Sequence, residues 1–267
     1  VQGTAKLGGA GLALIALCGS YQIDKSVTTV QELQALGAFI LFMQKEDGSI
    51  HSKYIENDGF DRNFNSLYYP GEAMLGLTKL YEIDKDQRWL QAALKTANQL
   101  VTSREGIERP PADHWMMLAG SPLLNLYEEA EAPPINEEQL RDHLALLARN
   151  MMADQKRHEA SAAPSERGRF GKDSRSTPTA TRLEGMLSLL QIQRSVAEVE
   201  PGLPETITSG VHFLMRCQIK EPGSNLGGMP RSCAQNAGEG RRDLEIRIDY
   251  VEHYLSALLS AEELGLL

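Results

Sequence analysis

The sequence predicts an all-α protein in which inner helices, covered on two sides, alternate with outer helices that bury one face. Three observations predict it. Apolar residues recur at helical spacing along almost the whole chain, no segment shows the period-two alternation of a strand, and two kinds of helical segment take turns. With 267 residues, 42% hydrophobic and 24% charged, the composition is that of an ordinary globular chain. It excludes collagen-like, low-complexity and broadly disordered material.

The first inner segment, 7–18 (LGGAGLALIALC), is apolar around its circumference. A bilayer span needs about twenty residues, so this run is too short. Lys6 precedes it as in a signal peptide, but no A-x-A-like cleavage site follows, and bulky Leu17 stands directly before Cys18. A buried helix is expected. Next comes an outer stripe, Leu33, Leu36, Ile40 and Met43. Segment 72–82 is inner again, and Trp89, Ala93, Ala97, Leu100 and Val101 make the second outer stripe. Segment 114–128 is inner, followed by Leu140, Leu144, Leu147 and Met151. Segment 183–194 is inner, followed by Ile207, Val211 and Leu214, and segment 252–264 is the last inner helix.

The inner segments share a register. EAMLGL starts at Glu72, EGMLSL at Glu184 and EHYLSA at Glu252, while HWMMLA carries His114 at the same position. KLGGAGLAL from Lys6 is a degenerate copy. Three outer helices end near a glutamine (Gln44, Gln155, Gln218), each followed by a glycine-bearing loop. Repetition of this kind marks stacked helical hairpins. The spacing between copies is uneven, which excludes a strict tetratricopeptide array and suits a closed toroid with long loops at one end.

The runs Q-x-x-D-G-S (Gln44 to Ser49), Y-Y-P-G-E-A (Tyr68 to Ala73) and D-H-W (Asp113 to Trp115) resemble the α/α-toroid proteins, the six-hairpin glycosidases with the sugar epimerases and uronate-processing enzymes. The helical rhythm covers most of the chain, and the motifs cover residues 37–128. The resemblance implies one α/α-toroid domain over residues 1–267, complete or lacking hairpins upstream of Val1. It also implies a substrate cavity lined by the N-terminal ends of the inner helices. Tyr68, Tyr69, Glu72, Asp113, His114, Arg182, Glu184, Asp249, Glu252 and His253 would surround it.

Two readings compete for the glutamates. A carboxylate in the first turn of a helix is stabilised by about 0.3–1 kcal/mol through the dipole and the free amides, which makes each a structural cap. Alternatively, packed helices about 8–10 Å apart bring two of them within the roughly 6.5–9.5 Å used by paired glycosidase carboxyls. His114 beside Asp113, and His253 beside Glu252, supply imidazoles for proton transfer in an epimerase. Tyr68, Tyr69 and Trp115 are candidates for stacking on a sugar ring. The connection 156–182 is basic, with Lys156, Arg157, Arg167, Arg169, Lys172, Arg175 and Arg182 outnumbering Glu159, Glu166 and Asp173. Such a rim suits an anionic glycan, because arginine binds carboxylates bidentately.

Other chemistries lack their motifs. The chain has no P-loop, no dinucleotide fingerprint, no HExxH, no GxSxG and no aspartate-rich prenyl diphosphate run. Cys18, Cys217 and Cys233 form no CxxC pair and are too few for a disulfide framework, so neither a metal nor a cofactor is expected. A net charge of −9 argues against nucleic acid as a partner. The expected function is a glycoside hydrolase or sugar epimerase working on a small or oligosaccharide substrate. The alternative is a non-catalytic helical domain that binds a glycan or a protein.

Overall fold

The computed structural model describes residues 3–160, 162–233 and 244–267. Among these, nine α-helices cover the nine segments that the periodicity marks: α1 (Leu7–Ile23), α2 (Val30–Met43), α3 (Tyr69–Asp84), α4 (Gln87–Ser103), α5 (His114–Asn125), α6 (Glu137–Glu159), α7 (Ser176–Ser195), α8 (Leu203–Cys217) and α9 (Ile248–Glu263). The chain divides into two compact units, Val1–Leu144 and Ala145–Leu267. No helix among the described residues is long and apolar enough to cross a membrane.

In the first unit α1 packs on α3 and α3 on α5, with α2 and α4 against their outer sides. α3 and α5 are buried around most of their circumference, as inner helices must be. Small residues allow the close approach. A Cβ on Gly11 would lie 2.8 Å from the backbone carbon of Glu72, and one on Gly71 would lie 2.6 Å from that of Trp115. The outer helices behave as one-faced elements. α4 buries Trp89, Leu90, Ala93, Leu94, Ala97 and Leu100, with Thr96 the one polar residue among its buried side chains. α2 starts on a capping box, in which the Thr29 hydroxyl accepts from the Glu32 amide and Glu32 accepts from the Thr29 amide.

A small antiparallel sheet corrects the expectation of no strands. Its order is β1 (Thr4–Lys6), β2 (Lys53–Ile55), β3 (Gly59–Phe60), with Thr4 opposite Ile55 and Tyr54 opposite Phe60. Strands this short present too few residues for an alternating pattern. The β2–β3 turn takes its bend from Asn57 and Gly59, both at positive φ.

In the second unit α7 packs on α9, and α8 packs on both. α7 begins well before the expected 183 and α9 slightly before 252. Pro178 does not stop α7, because a proline in the first turn removes an amide that has no intrahelical acceptor anyway. Inner character is incomplete at the first and last helices: α9 buries Tyr250, Tyr254, Ala257 and Ala261 but exposes Leu255 and Leu259, and α1 exposes Leu12. The cysteine expectation also needs correction. Cys217, at the end of α8, is disulfide-bonded to Cys233, and only Cys18 is a free thiol.

The three repeat glutamines have one shared task. Gln44 donates to the Ala92 carbonyl and the Thr96 hydroxyl, and that hydroxyl donates in turn to the Gly48 carbonyl. Gln155 donates to the Gly168 and Thr206 carbonyls, and Gln218 donates to the Gly227 carbonyl. Each ties its helix end to the glycine loop that follows, and Gln44 and Gln155 also bond a carbonyl of the neighbouring outer helix.

Candidate functional site

In the first unit the predicted residues Glu72, Asp113 and His114 gather at the N-terminal ends of α3 and α5. Pro70 in the first turn fixes the start of α3 and places Glu72 in that turn. Glu72 is only 6% exposed, and its Oε2 has no hydrogen-bond partner. Burial, aided by the negative charge of Asp113, pushes its carboxyl up to about 7. Asp113 is the N-cap of α5. Its Oδ1 accepts from the Met116 amide at 3.0 Å and its Oδ2 from Arg104 Nη2 at 2.6 Å. Burial raises the Asp113 carboxyl above its ordinary range, and the Arg104 charge and the two hydrogen bonds work against that rise. His114 is buried, with its ring edge-on to Tyr68 at 4.9 Å and tilted to Trp115 at 5.6 Å. Tyr68 is exposed, while Tyr69 packs near Phe64.

Two members of this cluster escaped the sequence reading. Arg104 caps the C-terminal end of α4, and His143 of α6 lies near enough for the guanidinium to act on it. Burial first, then the Arg104 charge, pushes His143 down to about 4. His143 carried a signal, since it interrupts the apolar stripe between Leu140 and Leu147. Arg104 carried none, because its partner is reached only when α4 and α5 meet.

In the second unit the structure joins Glu184 to His253, with Nδ1 of the imidazole 2.9 Å from Oε2. Glu184 is buried. Burial works to lower the His253 pKa, but the hydrogen bond and charge of Glu184, with the charges of Glu252 and Asp249, outweigh it and raise the value. Glu252 is exposed and stands outside this pair. Asp249 is engaged by Arg247 through both carboxylate oxygens, and Arg182 Nη1 donates to the Pro178 carbonyl.

The shared register therefore does not mean shared placement. Glu72 lies in the first turn of its helix, Glu184 lies well inside α7, and the first-turn acid of α9 is Asp249. In the basic connection Arg157, Arg169 and Arg175 pair with Asp154, Glu166 and Asp173, so part of its positive charge is neutralised locally. Among the described residues no three His, Cys, Asp or Glu side chains gather as a metal site.

The alternating helices give the chain a fold of the α/α-toroid kind. No protein-family model matches the sequence, and neither does any curated protein. Among solved structures, cellobiose 2-epimerase from Bacillus thermoamylovorans B4167 is similar, with a TM-score of 0.59 over 98% of this chain and 77% of that one. Sequence identity is 10%, so the likeness is one of fold.

Proposed function

We propose that the chain is a carbohydrate-active enzyme that moves protons on a sugar, best described as a sugar epimerase. The observation that carries this reading is the Glu184–His253 pair, a buried carboxylate bonded to an imidazole whose pKa is raised. Such a pair fixes the imidazole tautomer and raises its basicity. An epimerase takes a proton from the carbon beside a sugar carbonyl and returns one to the opposite face, so it needs an acid and a base and no oxidant. His253, held by Glu184, is the proposed base. The similar structure is that of a cellobiose 2-epimerase, which supports a sugar substrate.

Glycoside hydrolysis is the second reading, favoured by one observation. A carboxyl raised to about 7, as at Glu72, is protonated in the range where a glycosidase acid must be. The two readings separate in deuterated water with a panel of reducing disaccharides and monosaccharides. Epimerisation incorporates deuterium at carbon without new reducing ends, and hydrolysis releases reducing ends without carbon-bound deuterium. His253→Asn should lower the first activity by about 10²–10⁴-fold, and Glu72→Gln should lower the second by a similar factor. A wild-type chain inactive in both assays would leave a non-catalytic binding domain as the reading.

A further inference from the structure

Resting on the proton-transfer reading of Glu184 and His253, we infer that segment 229–233 is a strap that positions this pair, and that the Cys217–Cys233 disulfide makes the positioning depend on thiol redox state. The strap runs between the starts of the two helices that carry the pair. Toward α7, the Ser176 amide donates to the Arg231 carbonyl at 2.9 Å, and the Cys233 amide donates to the Ser174 carbonyl at 3.1 Å. The Ser176 hydroxyl donates to the Pro230 carbonyl at 2.7 Å. Toward α9, the Arg231 amide donates to the Glu245 carbonyl at 2.8 Å, and Pro230 bridges to Ile246. Neither helix has a side-chain cap at its start. The first amides of a helix lack internal acceptors, so the Arg231 carbonyl does for α7 what a capping side chain does elsewhere.

The disulfide decides how firmly the strap is held. Cys217 ends α8, which packs on both α7 and α9, so the bond fastens the strap to a third helix. It joins residues 16 positions apart and removes the open arrangements of the loop between them. A dithiol cuts the bond by exchange. The S–S bond breaks, two electrons and two protons leave the dithiol, each cysteine becomes a thiol, and the sulfurs of the dithiol become bonded to each other. Afterwards the strap keeps only its backbone bonds and its packing, and the starts of α7 and α9 gain freedom. Glu184 Oε2 and His253 Nδ1 meet at 2.9 Å, a contact that a shift of about 1 Å takes beyond hydrogen-bond range.

The test compares the full chain oxidised, reduced with dithiothreitol, and reoxidised. Thiol titration after unfolding should count one thiol in the oxidised chain, that of Cys18, and three in the reduced one. Reduction should lower kcat for deuterium incorporation into the sugar by about tenfold or more, with KM changed by less than about threefold, and reoxidation should restore it. The His253 imidazole, followed by NMR against pH, should titrate lower in the reduced chain, because Glu184 is what holds its pKa up against burial. Replacing both Cys217→Ser and Cys233→Ser should give the reduced level with or without dithiothreitol. If that chain does not fold, Ser176→Ala, which keeps the disulfide and loses the bond to Pro230, should move kcat and the His253 pKa in the same direction. Full activity and an unmoved His253 pKa in a chain with three thiols overturn the strap and leave the proton-transfer reading standing. A pKa that falls on reduction in a chain inactive on every sugar overturns that reading and supports the strap's hold on the pair. An inactive chain whose His253 pKa also stays in place overturns both.

Discussion

Glu184 and His253 lie 69 positions apart in sequence, and their contact is the kind of fact that a single sequence hides. The residue types were legible, since each sits in the repeated register, but that register paired His253 with its neighbour Glu252. Successive residues on a helix point about 100° apart, so adjacency in sequence is not contact. Glu252 turns to solvent, and the imidazole finds its carboxylate on another helix. Arg104 and Asp113 were hidden in the same way, at nine positions' separation across a loop. The Glu184–His253 bond also has a consequence for titration. Removing the carboxylate charge in Glu184→Gln leaves burial as the dominant influence on His253, so its pKa should fall below that of the wild type. Imidazole proton shifts followed against pH check this. A pKa that stays unchanged in Glu184→Gln would mean that the pair does not form in solution. The sign of the linked stability follows. A raised imidazole pKa adds stability that is fully present below the unfolded value and is lost as pH climbs through the folded one.

Secondary elements were the more legible level, and the errors share a cause. Helical periodicity located every outer stripe because one wet face and one dry face leave a strong pattern, as in α4. It failed at helix starts inside the core. In α7 the residues from Ser176 onward are small, polar or proline, so nothing apolar marks the first turns, and the start was placed at 183. The strands failed because strands of two or three residues owe their existence to pairing with distant partners, Thr4 with Ile55 and Lys6 with Lys53, rather than to their own pattern. The glutamines show the opposite case. Their repetition at outer-helix ends was visible, yet their task was not, because the carbonyls they satisfy come from the following loop and the neighbouring helix. Gln155 is the most buried of the three, and it donates to two carbonyls at 3.0 Å each. Replacing it with leucine keeps the bulk and strands the Gly168 carbonyl, while the Thr206 carbonyl keeps its partner within α8. A buried orphan costs about 1–3 kcal/mol, so Gln155→Leu should lower the unfolding free energy by about that amount in denaturant titration. A loss below about 0.5 kcal/mol would show that water replaces the amide there.

At the scale of the whole molecule, stability against pH sums every shifted group, and two buried ones of the first unit pull in opposite directions. Burial pushes the Glu72 carboxyl up to about 7 in the folded chain, against an ordinary 4.5. Between those values the folded state keeps a proton that the unfolded state has released, so this group makes stability fall as pH rises from about 4.5 to about 7. His143 titrates at about 4 against 6.5. There the unfolded state holds the extra proton, so this group makes stability rise over the window from about 4 to about 6.5. The windows overlap through most of their range, and the slopes cancel there. Each shift is worth on the order of 3 kcal/mol when fully expressed, from about 1.4 kcal/mol per pKa unit. The charges that face these groups belong to the same cluster, Asp113 for Glu72 and Arg104 for His143. The wild type should therefore show little net dependence from these two groups between about pH 4.5 and about pH 6.5, and each single variant should expose the slope of the other group. In Glu72→Gln the remaining imidazole should make the melting temperature climb with pH across that interval. In His143→Gln the remaining carboxyl should make it drop. Thermal unfolding of the three chains over a pH series reads the difference directly, with the shared background of all other titrating groups subtracted. Variant curves that run parallel to the wild type would mean that neither group is held in its neutral form by the fold.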